Sequence, residues 1–170
     1  MDKVSIQGYT TIRKIQKGGM TDLFVASDTS QGRVVIRFIR ETYRNDKSVK
    51  KSFKNGIKIL EALKHPNIVE LVSSGKHEGL NYMIVKYYES KNLRELIYAR
   101  DEMIQRNPIP ILIQIGNAIN YIHDQGYLHM DFKPENILIT PAMDVIMVDF
   151  DLSIAHKNKE NKLRDVHGTP

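Results

Sequence analysis

One short stretch, His129-Met130-Asp131-Phe132-Lys133-Pro134-Glu135-Asn136, puts a carboxylate, a cation and a carboxamide within eight residues. A second acid follows in Val148-Asp149-Phe150. These types suit phosphoryl transfer. Asp131 can accept or orient the proton of an attacking hydroxyl. Lys133 can neutralise charge spreading over the transferred phosphoryl oxygens. Asn136 and Asp149 offer hard oxygen ligands of the kind Mg²⁺ prefers. A polar turn between a helix and a hairpin would account for Pro134 and Asn136, but not for the coincidence of all these positions.

The flanking sequence has to hold this stretch in place. Ile109 to Gln125 reads as a helix with Leu112, Ile115, Ile119 and Ile122 as its buried stripe, stopped by Gly126. Ile137-Leu138-Ile139 and Val145 to Val148 read as a hairpin behind the polar stretch. Leu93 to Ala99 is a short helix with Asn92 as its N-cap. Towards the N-terminus the strand signals are Tyr9 to Gln16, Leu23 to Ala26, Arg33 to Ile39, Ile68 to Val72 and Asn81 to Tyr87, with a turn over Gly75 to Gly79. A helix over Lys47 to Leu63 interrupts them, with Val49, Phe53, Ile57, Leu60 and Leu63 on its apolar stripe.

The composition is that of an ordinary globular protein: 170 residues, 41% hydrophobic, 26% charged, net charge +5. There is no cysteine, so disulfides and thiolate metal sites are excluded and a reducing, cytoplasmic setting is the expectation. No membrane segment and no signal-peptide layout is evident. The basic run Lys47 to Lys58 has the spacing of a solvated helix face, so no nucleic-acid partner is expected.

The catalytic stretch and the later acid resemble the H-R-D-L-x-x-x-N and D-F-G motifs of eukaryotic-type protein kinases, which His129 to Asn136 and Asp149 to Asp151 match. Lys133 is similar to the Ser/Thr branch, and Gly-Gly-Met in the first turn resembles bacterial members. The resemblance runs from about Tyr9 to Gly168-Thr169-Pro170, just before the family's A-P-E segment, so the chain looks like the first part of a kinase domain. It implies an α+β, protein-kinase-like two-lobe fold. The N-lobe, 9–87, would be a five-stranded antiparallel sheet plus one helix, and 88–170 an incomplete, mainly helical C-lobe. It implies ATP and Mg²⁺ as cofactors and a protein substrate carrying Ser or Thr as partner. By position, Asp131, Lys133, Asn136 and Asp149 would be catalytic, with Asn136 and Asp149 on the metal. Ile15, Gly18, Leu23, Val35, Arg37, Lys86, Tyr88 and Leu138 would contact the nucleotide. Val85 falls at the gatekeeper position, and His129 and Phe150 would pack beneath the site.

The departures from the family pattern matter as much. The glycine-rich loop reads Gln16, Gly18, Thr21 and Leu23, keeping only the middle glycine. Arg37 stands where the family has the lysine that reaches the α- and β-phosphates, and a forked guanidinium does not simply replace a compact ammonium. Val35 stands at the alanine position, and the partner glutamate falls on Gly56. Lys17 is a candidate substitute phosphate contact. Met130 replaces an arginine that usually meets a phosphate, and no Ser, Thr or Tyr lies between Ser153 and Thr169. The two absences agree on a segment that is not switched by phosphorylation. Asp151 takes the place of the glycine after Phe150. Three readings follow: a Ser/Thr protein kinase, a pseudokinase that binds nucleotide or a protein without efficient transfer, and a small-molecule kinase, which shares only the Asp and Asn. For the 170-residue chain alone we expect an apolar face left bare and a broad, poorly cooperative melt; a sharp monomeric transition in calorimetry would contradict this.

Overall fold

A computed structural model describes residue 6 and residues 8–17, 19–28 and 32–156 of the chain. Gly18, with the Gly168-Thr169-Pro170 segment, lies outside the described residues, as does the side chain of Lys17. The chain divides into two compact units. One holds the residues up to Ile57 together with Glu70–Tyr87; the other holds Lys58–Val69 and the chain from Tyr88 onward.

The first unit is built on strands β1 (Tyr9–Lys17), β2 (Thr21–Asp28) and β3 (Gly32–Ile39), the first turns of helix α1 (Lys47–Ala62), and strands β4 (Leu71–His77) and β5 (Leu80–Lys86). The sheet is antiparallel, in the order β1-β2-β3-β5-β4. Period-two alternation gives it two different faces. Phe24, Ala26, Val34, Ile36, Phe38 and Ile84 close one core with Ile6 and Leu80. Phe24 and Phe38 meet edge to face at 6.1 Å, the geometry aromatic quadrupoles favour. Asp46 starts α1: its Oδ1 accepts from the amides of Ser48 (2.8 Å) and Val49 (3.0 Å).

The second unit carries the last turn of α1, strand β6 (Lys91–Asn92), helices α2 (Leu93–Tyr98), α3 (Glu102–Arg106) and α4 (Pro108–Asp124), and strands β7 (Tyr127–Leu128), β8 (Ile137–Ile139), β9 (Val145–Met147) and β10 (Ile154–Ala155). Its core is Leu96, Ile111, Ile115, Ile137, Ile139 and Val145. The Asn92 cap on α2 is present as a full capping box with Glu95. The architecture is the expected α+β kinase type: a five-stranded antiparallel sheet with one helix, then a mainly helical unit.

Four local expectations need correction. The strand expected over Ile68 to Val72 is split. Ile68 instead bridges Met147 in parallel, and the strand proper is β4, whose Ser73, Ser74 and Lys76 carry no apolar alternation because β4 is an edge. Gly75 lies inside that strand, not in a turn. A Cβ there would come 2.7 Å from the hydroxyl of its register partner Tyr82. On α1, Ile59 is buried and Ile57 only half so. On α4 the buried stripe is Ile111, Ile115, Ala118 and Ile122, and Leu112 is 59% exposed. Nearly every residue from Ile109 to Ile115 is apolar, so hydrophobicity alone cannot set the rotation. Gln114 sets it: Nε2 donates to the Met143 carbonyl (2.9 Å), and Oε1 accepts from the Val145 amide (2.9 Å) and from Asn67 Nδ2 (2.9 Å). Turning that carboxamide inward carries Leu112 and Ile113 outward. Helix α3 and the two-residue strands β6, β7 and β10 are too short to show a period in sequence.

The β4–β5 turn generates a stability prediction. His77 pairs with Leu80, so Glu78 and Gly79 form a two-residue loop, and both have positive φ (49° and 83°). That is a type I′ turn, for which Asn-Gly is the favoured pair. Glu78→Asn should stabilise the fold by up to about 1 kcal/mol by relieving the left-handed cost of a longer side chain. The Arg44 bond to the Glu78 carbonyl does not depend on the side chain. A lower melting temperature in this variant would refute the turn assignment.

Candidate active site

The polar stretch and the second acid sit in two adjacent loops of the second unit. The first, His129 to Asn136, connects β7 to β8; the second, Val148 to Ser153, connects β9 to β10. Strand β7 pairs with β10 (Leu128 opposite Ile154), and β8 pairs with β9 (Ile137 opposite Met147). Both loops are therefore pinned at both ends by the same two ladders. The Val148 amide donates to the Asn136 carbonyl at 3.0 Å, so Asp149 begins one residue beyond a direct backbone bond to Asn136.

His129 joins the loops from inside. Its Nε2 lies 3.1 Å from the Val148 carbonyl, and the Asp131 amide donates to its Nδ1 at 3.3 Å. A carbonyl on one side and an amide on the other require the neutral ring, protonated on Nε2. The ring packs on Phe150 with centroids 4.7 Å apart, and Ser153 Oγ donates to the His129 carbonyl at 2.9 Å. Burial holds the His129 pKa below the ordinary histidine value; the Val148 hydrogen bond opposes this without winning.

Asp131, Lys133 and Asn136 form one cluster. Lys133 Nζ lies 2.9 Å from Asp131 Oδ2, and Asn136 Nδ2 donates to the same oxygen (2.9 Å) and to the Asp131 carbonyl (2.8 Å). Asp131 and Asn136 are buried, at 7% and 8% exposure. With its NH₂ committed twice to Asp131, Asn136 keeps its carbonyl oxygen as a ligand end. That oxygen and the Asp149 carboxylate are hard donors of the number Mg²⁺ takes from a protein when phosphates supply the rest, so the residues present fit that ion. Two residues here have left-handed backbones, Met130 (φ 63°) and Asp149 (φ 64°), a conformation costly for any side chain and concentrated at functional sites. Asp151 is not left-handed, so the position after Phe150 places no demand for glycine. Glu135 is tied to α2 by an ion pair with Arg94, whose guanidinium also lies 5.3 Å from the Tyr98 ring. The Glu135 pKa is lowered, first by its own backbone amide and then by Arg94.

In the first unit, Val35 and Arg37, two residues apart, share one half-buried face of β3. Register puts Leu23 opposite Arg37 and Val85 opposite Val35. Ile15 sits at an irregularity in the β1–β2 ladder and is 40% exposed. Arg37 Nε donates to Thr21 Oγ1 at 3.2 Å, and its guanidinium carbon is 5.5 Å from the Phe53 ring of α1. Gly56, one turn beyond Phe53, is buried and offers no side chain. Lys86 ends β5 with its amide bonded to the Glu70 carbonyl (3.0 Å). In the second unit, the Tyr88 carbonyl accepts from Ser90 Oγ (3.0 Å), and Leu138 is half-buried between Ile137 and Ile139. The bridging role of His129 and the anchoring by Ser153 were not foreseen from sequence. Only the spacing of His129, two before Asp131, hinted at the first.

The neutral histidine makes stability depend on pH. Its folded pKa lies below the unfolded value near 6.5, so the unfolded chain binds the extra proton. Stability is then full above about 6.5 and falls as pH drops through the folded pKa. Melting temperature should decline between about pH 7 and pH 5, more steeply in the parent than in His129→Gln. His65, whose pKa burial also lowers, contributes the same slope to both. Parallel curves would remove His129 from this role.

Residues 9–170 match the family model described as the protein kinase domain. The chain is 32% identical over 148 residues to the serine/threonine-protein kinase PrkC of Bacillus subtilis, covering 86% of this chain and 23% of the relative. It is 33% identical over 151 residues to the probable serine/threonine-protein kinase PknB of Bifidobacterium longum, covering 83% and 22%. It is 32% identical over 170 residues to the serine/threonine-protein kinase PknD of Chlamydia trachomatis, covering 93% and 18%. The chain thus spans about a quarter or less of the length of these relatives. It belongs to the protein kinase domain family, beside bacterial Ser/Thr members.

Proposed function

We propose that this chain carries the nucleotide and catalytic-loop part of a Ser/Thr protein kinase, transferring the γ-phosphoryl group of ATP to a Ser or Thr hydroxyl of a protein. The observation that supports this best is the cluster of buried Asp131 and Asn136 with half-buried Lys133, whose Nζ lies 2.9 Å from Asp131 Oδ2. In this reading the substrate oxygen bonds to the γ-phosphorus as the bond to the ADP oxygen breaks. Asp131 orients the hydroxyl and takes its proton. Lys133 is close enough to Asp131 to meet the same substrate oxygen's neighbourhood with positive charge. Mg²⁺, when bound, neutralises phosphate charge; Asn136 Oδ1 and the Asp149 carboxylate are the groups that would hold it.

The reading takes 9–87 as the smaller lobe and 88–170 as part of the larger. Nucleotide contacts proposed in the first unit are Ile15, Gly18, Leu23, Val35, Arg37 and Lys86; in the second they are Tyr88 and Leu138. The names of the relatives support Ser/Thr of proteins as acceptor. The pseudokinase reading draws on a different observation: Arg37 is engaged by Thr21 and Phe53 where the family's lysine would meet phosphates.

Labelled ATP with Mg²⁺ and a generic protein acceptor separates the two. Asp131→Ala should lower incorporation by about 10²–10⁴-fold, the usual contribution of a positioned general base. A folded parent that binds nucleotide but transfers no label would leave the pseudokinase reading standing and sink the catalytic one.

A further inference from the structure

Arg37 of β3 and Arg40 just beyond its end reach back onto the same turn. Arg40, immediately after β3, donates its backbone amide to the Met20 carbonyl (3.0 Å) and its Nη1 to the Gly19 carbonyl (3.0 Å). Its Nε lies 3.8 Å from Asp22 Oδ1, an oxygen that also pairs with Lys14 at 3.0 Å. Arg37, three residues earlier, holds the Thr21 hydroxyl. Four consecutive residues, Gly19 to Asp22, are therefore gripped from one neighbouring strand. The β1–β2 turn stands at the family's glycine-rich loop, whose backbone covers the ATP phosphates in kinases.

The chemistry of the grip is directional. A backbone cradle for phosphate works by presenting N–H groups, and any carbonyl turned towards the anion opposes it. Arg40 draws the carbonyls of two successive turn residues, Gly19 and Met20, towards its own cation and amide. Carbonyls engaged in that way are not offered to an approaching anion. The fork matters here: the guanidinium reaches the Gly19 carbonyl while its Nε stays near Asp22, which one ammonium cannot do. The turn has lost glycines at the positions of Gln16 and Thr21 relative to the family pattern, so less of its geometry can come from backbone freedom and more must come from an external hold.

We propose that Arg40 is a positioning residue for nucleotide phosphates: it fixes the Gly19–Met20 turn by its carbonyls so that the turn meets the phosphate chain with its amides. Arg40 itself touches no phosphate in this scheme. The inference rests on the nucleotide reading above and adds a residue to it.

The test compares two ligands that share adenine and ribose and differ in phosphates. Mg·ATP and adenosine are titrated calorimetrically against the full chain and its Arg40→Ala and Arg40→Lys variants. Hydrogen exchange over Gly19 to Asp22 is read in parallel. Arg40→Ala should weaken ATP about tenfold, the effect of losing a charge-assisted hydrogen bond. Adenosine affinity should stay within about twofold, and exchange across the turn should quicken. Arg40→Lys, which keeps the charge but loses the fork, should fall between and guards against misfolding of the alanine variant. ATP affinity unchanged in both variants overturns the inference alone. Equal loss of ATP and adenosine overturns it too, because the role is then only structural. A parent that binds neither ligand overturns the nucleotide reading and this inference with it.

Discussion

The arrangement depends on one buried, neutral imidazole. His129 is 6% exposed and uses both ring nitrogens on backbone, one towards Val148 and one towards Asp131. Those two partners belong to different loops: one is the amide of Asp131 itself, the other the carbonyl just before Asp149. The single ring therefore sets the spacing of Asp131 and Asp149 through their backbone. Protonation would cost twice: the Asp131 amide would lose its acceptor, and a charge would sit where burial already disfavours it. Neutrality is a structural requirement before it is a chemical one.

A buried carboxylate needs comparable compensation. Asp131 gives up water, and an uncompensated charge at that depth would be strongly unfavourable. Lys133 supplies an ion pair and Asn136 one hydrogen bond to the carboxylate, with a second from Asn136 to the Asp131 backbone carbonyl, from residues two and five positions along the same chain. Local supply explains the short spacing. The 3₁₀ turn at Pro134–Asn136 brings Asn136 back over Asp131, and Pro134 presets the backbone angle with which that turn begins. The groups that make the loop stable are the same ones that would do chemistry, so structural and catalytic demands act on the same few residues.

What could be read from the sequence divides along physical lines. The Asp131, Lys133 and Asn136 grouping was legible because its geometry is carried by nearby chain, whereas the place of Asp149 beside it depends on the two ladders and on His129. The strand at Arg33 to Ile39 and the cap at Asn92 were legible because β-branched runs and capping boxes are local signals. The rotation of α4 was not, because an all-apolar run from Ile109 to Ile113 has no preferred face until Gln114 finds partners in distant segments, Asn67 among them. Strand β4 was misplaced for a related reason: an edge strand facing water keeps little apolar pattern. The contacts of Arg37 with Thr21 and Phe53 depend on tertiary neighbours that spacing does not reveal. The grip of Arg40 on the first turn was invisible for the same reason.

The paired ladders around the two loops carry a consequence for the order in which the second unit forms. The β8–β9 hairpin closes a short segment, and such hairpins form on the microsecond scale. The β7–β10 pairing encloses that hairpin and both loops, a longer closure with a larger entropic cost. Inner pairing thus prepares the outer one, and His129 can reach Val148 only as the outer ladder closes. The acids acquire their mutual geometry late, so a nascent chain can hold a finished hairpin while its reactive centre is still unassembled.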